Sequence, residues 1–258
     1  MNFDMPLLPK RTEKPRQSGL TMVMDKGLSL SEAESLIATC GNFIDIIKLG
    51  FGTSIFTGNL ENKIKLYKDS GMIVYPGGTL FEAFVVRKAF DKFLQFLHKF
   101  DLDTVEVSDG SLEMDIEEKY NYISLLSKDF RVLSEVGSKD AEVHYSNDQW
   151  VQKLKGELQA GSWKVITEAR ESGNVGIFNS DGKVDSDLIG LISSEIGQEK
   201  IIWETPQKSQ QVWFIKHFGT NVNLGNISPA EVIALETLRT GLRGDTFFDF
   251  LPDEIKKK

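Results

Sequence analysis

The sequence predicts an α/β protein, a single (β/α)8 TIM barrel behind an extended N-terminal arm. Three observations predict it. Short β-rich runs alternate with longer helical ones about eight times, the repeat number of that barrel. No Gly/Ser-rich linker or break in composition divides the chain, and its 258 residues suit one such unit. The strand-like runs also end in polar residues, as barrel strands do where they converge on one mouth. A doubly wound sheet is the alternative, since alternation alone does not show closure.

In chain order, residues 1–18 read as an arm: Pro6, Pro9 and Pro15 are interspersed with Lys10, Arg11, Lys14 and Arg16. Residues 19–250 carry the barrel and 251–258 a charged tail. Strands are expected at Leu20–Asp25, Phe43–Leu49, Met72–Tyr75, Thr104–Ser108, Arg131–Glu135, Trp163–Glu168, Lys200–Trp203 and Asn221–Leu224, each rich in Val, Ile or aromatics and bounded by turn formers. Amphipathic helices are expected at Ser29–Thr39, Leu60–Asp69, Lys88–Phe100, Ile116–Ser127 and Asp148–Gln159. Ser31-Glu32-Ala33-Glu34 supplies an acidic first turn, and Ser228-Pro229 caps and opens a helix through Leu238.

The formal charge of −8 disfavours nucleic acid, whose phosphates need clustered Lys and Arg. A small anion in a focused cationic cleft is compatible with it. Cys40 is alone, which excludes an intrachain disulfide and a Cys-rich metal site, and it reads as a buried inert thiol at a helix end. His98, His144 and His217 lack metal-ligand spacing. No apolar run is long enough for a bilayer and none resembles a signal peptide, so no membrane partner is expected and the cytoplasm is the expected compartment. A homo-oligomer is left open: Phe247, Phe248 and Phe250 either dock on a neighbour or pack on the barrel's own helices.

The polar strand ends carry the functional argument. They supply Asp25, Lys48, Thr79, Glu106, Glu135, Glu168, Glu204 and Asn223. Carboxylates that follow apolar strand residues are costly to bury unless they meet a metal, a cation or hydrogen-bond donors. Glu106, Glu135, Glu168 and Glu204 on successive strands therefore suggest a hard-cation site, with Mg²⁺ preferred. The alternative is a structural network in which these glutamates cap helices or pair with Lys48, Lys139 and Arg170. Glu82 reads as compensating a helix dipole. Lys48, Lys139, Arg170, Arg239 and Arg243, with Gly50, Gly52, Gly77 and Gly78, suggest recognition of a phosphate or carboxylate. No P-loop or dinucleotide fingerprint is present.

Longer words carry a resemblance. Lys48-Leu49-Gly50-Phe51-Gly52-Thr53-Ser54, Gly77-Gly78-Thr79-Leu80-Phe81-Glu82, Ser134-Glu135-Val136-Gly137-Ser138-Lys139-Asp140, Thr167-Glu168-Ala169-Arg170-Glu171-Ser172-Gly173, Asn221-Val222-Asn223-Leu224-Gly225-Asn226-Ile227 and the run from Leu235 to Thr246 resemble the phosphosulfolactate synthase family, in order and from about Arg11 to Thr246. Phe51, Thr205 and Thr220 depart from its usual Trp, Ala and Pro, and none of these changes removes an ionisable group. The resemblance implies a carbon–sulfur lyase that adds sulfite to C3 of phosphoenolpyruvate with Mg²⁺, giving (2R)-O-phospho-3-sulfolactate for coenzyme M or sulfolactate synthesis. The family includes plant heat-stress-associated proteins. A non-catalytic stress-associated barrel is therefore one alternative, and another Mg-dependent lyase acting on a phosphorylated three-carbon acid is a second.

Combined with that chemistry, the residues fall into roles. Glu135, Glu168 and Glu204, with Glu106 as a fourth, are the expected metal set. Lys139 is the first candidate for the general acid and Lys48 the second. Arg170, helped by Lys48, is expected to clamp the phosphate or sulfonate, unless it pairs with Glu168 or Glu171. Arg239 and Arg243 divide between anion binding and compensation of a helix C-terminus. Asn223 and Asn226 either orient the substrate or satisfy backbone groups at a strand end.

Overall fold

The computed structural model describes residues 2–138, 145–169, 176–178 and 183–256. Eight strands lie in chain order: β1 Thr21–Asp25, β2 Ile46–Leu49, β3 Ile73–Pro76, β4 Thr104–Ser108, β5 Arg131–Val136, β6 Lys164–Thr167, β7 Ile201–Glu204 and β8 Leu224–Ile227. Every ladder is parallel and the sheet order is β3-β2-β1-β8-β7-β6-β5-β4. Consecutive strands are thus neighbours, and β8 returns beside β1. The result is a nearly closed (β/α)8 barrel in which β3 and β4 meet without a ladder. The helices are α1 Leu30–Cys40, α2 Leu60–Asp69, α3 Gly78–Val86, α4 Phe90–Lys99, α5 Ile116–Leu126, α6 Asn147–Ala160, α7 Ser186–Ile196, α8 Lys208–Phe218, α9 Val232–Arg239 and a short α10 Asp253–Lys256. None of the described helices is long and apolar enough to cross a membrane.

Two apolar layers hold the barrel. Outward strand residues such as Val23, Ile47, Val105, Val132, Val165 and Trp203 pack against the helices. A separate inner cluster of Leu20, Met22, Ile46, Tyr75, Leu133, Ile166 and Ile202 fills the barrel. Strand side chains alternate faces, so the residue two positions after an inner one also points inward. Ile46, Leu133, Ile166 and Ile202 therefore place Lys48, Glu135, Glu168 and Glu204 directly above the plug, at the C-terminal mouth.

The last strand differs from expectation. It runs Leu224–Ile227 rather than Asn221–Leu224, because Gly225 and Asn226, which read as a strand end, lie inside it. Between Thr21↔Leu224 and Val23↔Ile227 the register slips by one residue, the mark of a β-bulge, and Asn226 takes a left-handed φ of 56°. A side chain at Gly225 would strike Met22 Cε at 2.5 Å and Ile202 Cγ2 at 3.0 Å, so glycine lets the strand close on the plug.

Two expected site residues lie at the opposite, N-terminal end of the barrel. Asn223 precedes β8. Its Oδ1 accepts from the Leu20 N–H, and its Nδ2 donates to the carbonyls of Gln198 and Ile201. Arg239 is fully buried at the end of α9, and its guanidinium donates to the carbonyls of Thr220, Val222 and Leu20. Both side chains are engaged below the mouth, where they tie β1 and β8 together. Burial pulls the Arg239 pKa down to about 9, which leaves the group charged at neutral pH.

The arm crosses this same end. Arg11 pairs with Glu236 at 2.8 Å and reaches Asn221, while Arg16 pairs with Asp45 at 3.0 Å. Cys40 is buried at the end of α1 with its thiol donated to the Leu36 carbonyl, and burial raises its pKa. His98 packs on Phe130 and His217 stacks on Trp213, whereas His144 lies outside the described residues. Phe250 packs on the core, while Phe247 and Phe248 are exposed. Asp25, at the end of β1, is occupied structurally: Lys63 pairs with it at 2.8 Å, Tyr67 donates to it, and the Gly27 and Leu28 amides bind its other oxygen.

Replacing Arg239 with Met removes three charge-assisted bonds across the β1–β8 seam, and is expected to lower stability by about 2–3 kcal/mol. The check is the urea midpoint at unchanged slope. A loss below about 0.5 kcal/mol would mean that the seam does not depend on this residue.

Candidate functional site

The site is a buried layer of charge above the inner plug. Lys48 Nζ stands 3.0 Å from Glu106 Oε2, 2.9 Å from Glu135 Oε2 and 3.2 Å from Glu204 Oε1. All four residues are shielded from solvent. Burial alone would depress the lysine, but the three carboxylates outweigh it and hold its pKa well above the ordinary value. Burial raises Glu106, with Lys48 opposing the shift. Glu204 is pushed up to about 7 by burial and by Glu135 and Glu106, with Lys48 pulling the other way.

Glu135, Glu168 and Glu204 bring carboxylate oxygens to within 4.8 Å of one another. Their donor set is all oxygen and all anionic, which suits a small hard dication. Such an ion, with ligands at about 2.1 Å, holds opposite oxygens about 4 Å apart, so side-chain adjustments of under about an ångström would close the set on it. The positions are well fixed. The Ala169 N–H binds Glu204 Oε2 at 3.1 Å, and the Glu168 N–H is held by the Val136 carbonyl.

Glu106, the expected fourth ligand, lies outside this group of three. Its Oε1 accepts the Gly78 N–H at 2.6 Å at the first turn of α3, and its Oε2 faces Lys48. It therefore bridges the open β3–β4 seam and orients the lysine. Gly78 permits this approach: a Cβ there would lie 2.6 Å from Ser108 Cβ and 2.8 Å from Glu106 Oε1. Glu82, read as compensating a dipole, instead binds the Ser108 hydroxyl and the Ser111 N–H, stitching α3 to the loop after β4.

The bulge gives Asn226 a distinct position near the end of β8. Its Oδ1 is buried and finds no hydrogen-bond partner among the described residues. Arg243, in the turn after α9, likewise has a buried Nη1 without such a partner. No described bond joins either residue to the glutamates. Lys139 and Arg170 lie outside the described residues. Tyr75 was missed: its phenol is buried beside Glu106 and Lys48, and burial, reinforced by Glu106, raises its pKa. The available signal was its spacing of two residues from Ile73 on the inner face of β3.

Residues 9–245 match the family described as (2R)-phospho-3-sulfolactate synthase (ComA). The phosphosulfolactate synthase of Bacillus subtilis is 45% identical over 244 residues, covering 93% of this chain and 97% of its own. That of Methanocaldococcus jannaschii is 45% identical over 90% of this chain and 94% of its own. Protein HEAT-STRESS-ASSOCIATED 32 of Arabidopsis thaliana is 22% identical, covering 89% and 88%. Among solved structures, 3-keto-L-gulonate-6-phosphate decarboxylase from Vibrio cholerae superposes with a TM-score of 0.53 at 12% identity, covering 91% of this chain and all of that one, a likeness of fold.

The raised Glu204 carboxyl carries a pH prediction. A carboxyl with a higher pKa in the folded chain stabilises it below the ordinary carboxylate range, and that stabilisation is lost as pH rises through about 7. A dication held by the ionised cluster reverses the trend. Addition of Mn²⁺ is therefore expected to raise Tm more at one pH unit above this value than at one unit below it. Thermal melts with Mn²⁺ or chelator check this, and equal gains on both sides would speak against the cluster as a cation site.

Proposed function

The chain belongs to the (2R)-phospho-3-sulfolactate synthase family, and we propose that it is itself a carbon–sulfur lyase joining sulfite to phosphoenolpyruvate. The observation that supports this most directly is the convergence of Glu135, Glu168 and Glu204 within 4.8 Å at the barrel mouth. Among the described residues the buried carboxylates outnumber the one lysine that faces them, an arrangement that a bound cation would stabilise. That favours a working site over a purely structural barrel.

The three glutamates would hold Mg²⁺, whose service when bound is Lewis-acid stabilisation of negative charge on the substrate carboxylate. In the reaction, the sulfur lone pair of sulfite forms a bond to C3 of phosphoenolpyruvate. The C2–C3 π pair moves toward C2 and the carboxylate, giving an enediolate, and C2 then takes a proton. No bond to phosphate breaks, and no oxidant or reductant is needed.

Lys48 stays cationic because of its carboxylate neighbours, which suits electrostatic support of the enediolate better than release of a proton. Lys139 is the proposed proton donor to C2, and the face from which it acts would set the R configuration. Arg170 and Arg243 are the proposed partners of the anionic phosphate and sulfonate. Asn226, with its buried amide oxygen, is proposed to orient the substrate.

Phosphorus NMR of the protein with phosphoenolpyruvate, sulfite and Mg²⁺ is expected to show a new phosphate ester that needs both sulfite and metal. A signal independent of sulfite would instead favour another lyase reaction. Lys139→Ala is expected to lower kcat by about 10²–10⁴-fold while leaving phosphoenolpyruvate binding largely intact; normal turnover would remove it as the acid. Glu135→Gln with Glu204→Gln is expected to shift Mg²⁺ activation to at least about tenfold higher concentrations, and an unchanged titration would count against these ligands.

A further inference from the structure

Behind β5, on its outer, helix-facing side, lies a second buried charge cluster. Lys119 of α5 is 2% exposed, and its ammonium has three partners. It stands 2.7 Å from Asp109 Oδ1 in the loop after β4, 2.6 Å from Glu157 Oε1 on α6, and 2.6 Å from the backbone carbonyl of Glu135. Ser134, whose side chain faces outward between the inward Leu133 and Glu135, receives a hydrogen bond from Ser162 on the same side of the strand. The lysine thus reaches through the helical layer to the main chain of a residue whose side chain serves the mouth.

We infer that Lys119 is a positioning residue for the glutamate cluster: by binding the Glu135 carbonyl, it fixes the end of β5 and hence the direction of the Glu135 carboxylate. This rests on the reading of Glu135, Glu168 and Glu204 as the cation-holding set. The physical reason is geometric. Glu135 lies at the penultimate position of β5, beyond which the chain leaves the sheet at Gly137 with φ 136°. The side chain at such a strand end turns with its own peptide plane, and Lys119 holds that plane. Asp109 and Glu157 hold the lysine in turn, from the preceding loop and the following helix.

A comparable lysine provides a control. Lys63 of α2 is equally buried, pairs with Asp25 at 2.8 Å and donates to the Leu28 carbonyl at 2.8 Å. It anchors the β1–α1 loop in the same way, but none of its partners belongs to the glutamate cluster. Lys63→Met therefore reproduces the loss of a buried cation without touching Glu135.

The experiment is a Mn²⁺ titration of the full chain, reading free Mn²⁺ by electron paramagnetic resonance, for the unaltered protein, Lys119→Met and Lys63→Met. Where Lys119→Met fails to fold, the combination Lys119→Met, Asp109→Asn and Glu157→Gln removes the carbonyl contact without stranding charges. Lys119 variants are expected to bind Mn²⁺ about ten- to a hundredfold more weakly, while Lys63→Met stays within about twofold of the unaltered chain. If the unaltered chain binds Mn²⁺ and a folded Lys119 variant binds it equally well, the positioning role is overturned and the metal site stands. Equal losses in the Lys63 and Lys119 variants would also overturn it, as general destabilisation. Absence of Mn²⁺ binding by the unaltered chain would overturn the cation site and this inference with it.

Discussion

The architecture of the mouth depends on one ammonium group. Lys48 faces Glu106, Glu135 and Glu204 at 2.9–3.2 Å with no bulk water to screen them. Isolated, each of these groups would be expelled or neutralised by burial; together they are mutual counterions. One positive charge does not balance three carboxylates, and Glu168 adds a fourth at the same level. Among the described residues the layer thus holds more carboxylates than the lysine that faces them, a set that could hold a metal ion. Its response to pH follows from burial first and then from the crowding of Glu135 and Glu106, which together hold the Glu204 pKa high against the pull of Lys48.

The two ends of the barrel solve opposite problems. Below the plug, Arg239 and Asn223 use their polar groups on backbone carbonyls and an amide, so charge and dipole are consumed in closing β1 against β8. Above it, carboxylates are oriented toward one another and toward Lys48. The intervening layer of Met22, Ile46, Leu133, Ile166 and Ile202 separates these environments. A sheet with period-two alternation makes this division cheaply: the same inward face carries apolar residues at one level and ionisable ones two residues later. At β3–β4, where no ladder exists, Glu106 and Glu82 supply the cross-links, and the absence of a side chain on Gly78 lets them approach.

Much of this was legible in the sequence, for identifiable reasons. Glu135, Glu168 and Glu204 were found because each follows an apolar strand residue at the same phase, and alternation converts that phase into a shared direction. Asn223 lies below the mouth because Gly225-Asn226, which reads locally as the end of a strand, is a bulge within one, and Arg239 lies there because it ends a helix that returns to that end of the barrel. A bulge depends on what the neighbouring strand and the plug require, which no local pattern records. Glu106 was grouped with the triad because its phase is right, but its partner is the Gly78 N–H, a backbone group with no signature in the side chains. Lys119 was invisible for another reason. On an amphipathic helix a lysine reads as solvent-facing, and only the tertiary contacts with Asp109, Glu157 and β5 show that it is buried.

The recurrence of buried lysines behind the sheet bears on how such a mouth keeps its geometry. Lys63 and Lys119 each join a carboxylate to a backbone carbonyl near the end of a strand, where ladder bonds run out. A neutral donor could satisfy the carbonyl, but it would be held less firmly, because charge-assisted bonds are shorter and about twice as strong. The repulsion among the mouth carboxylates tends to splay their strand ends apart. Lys119, placed behind β5, opposes this at Glu135 without entering the mouth and neutralising it. Lys48 and Lys119 are thus not interchangeable reinforcements: the first lowers the charge of the cluster, whereas the second preserves its shape and leaves its charge available.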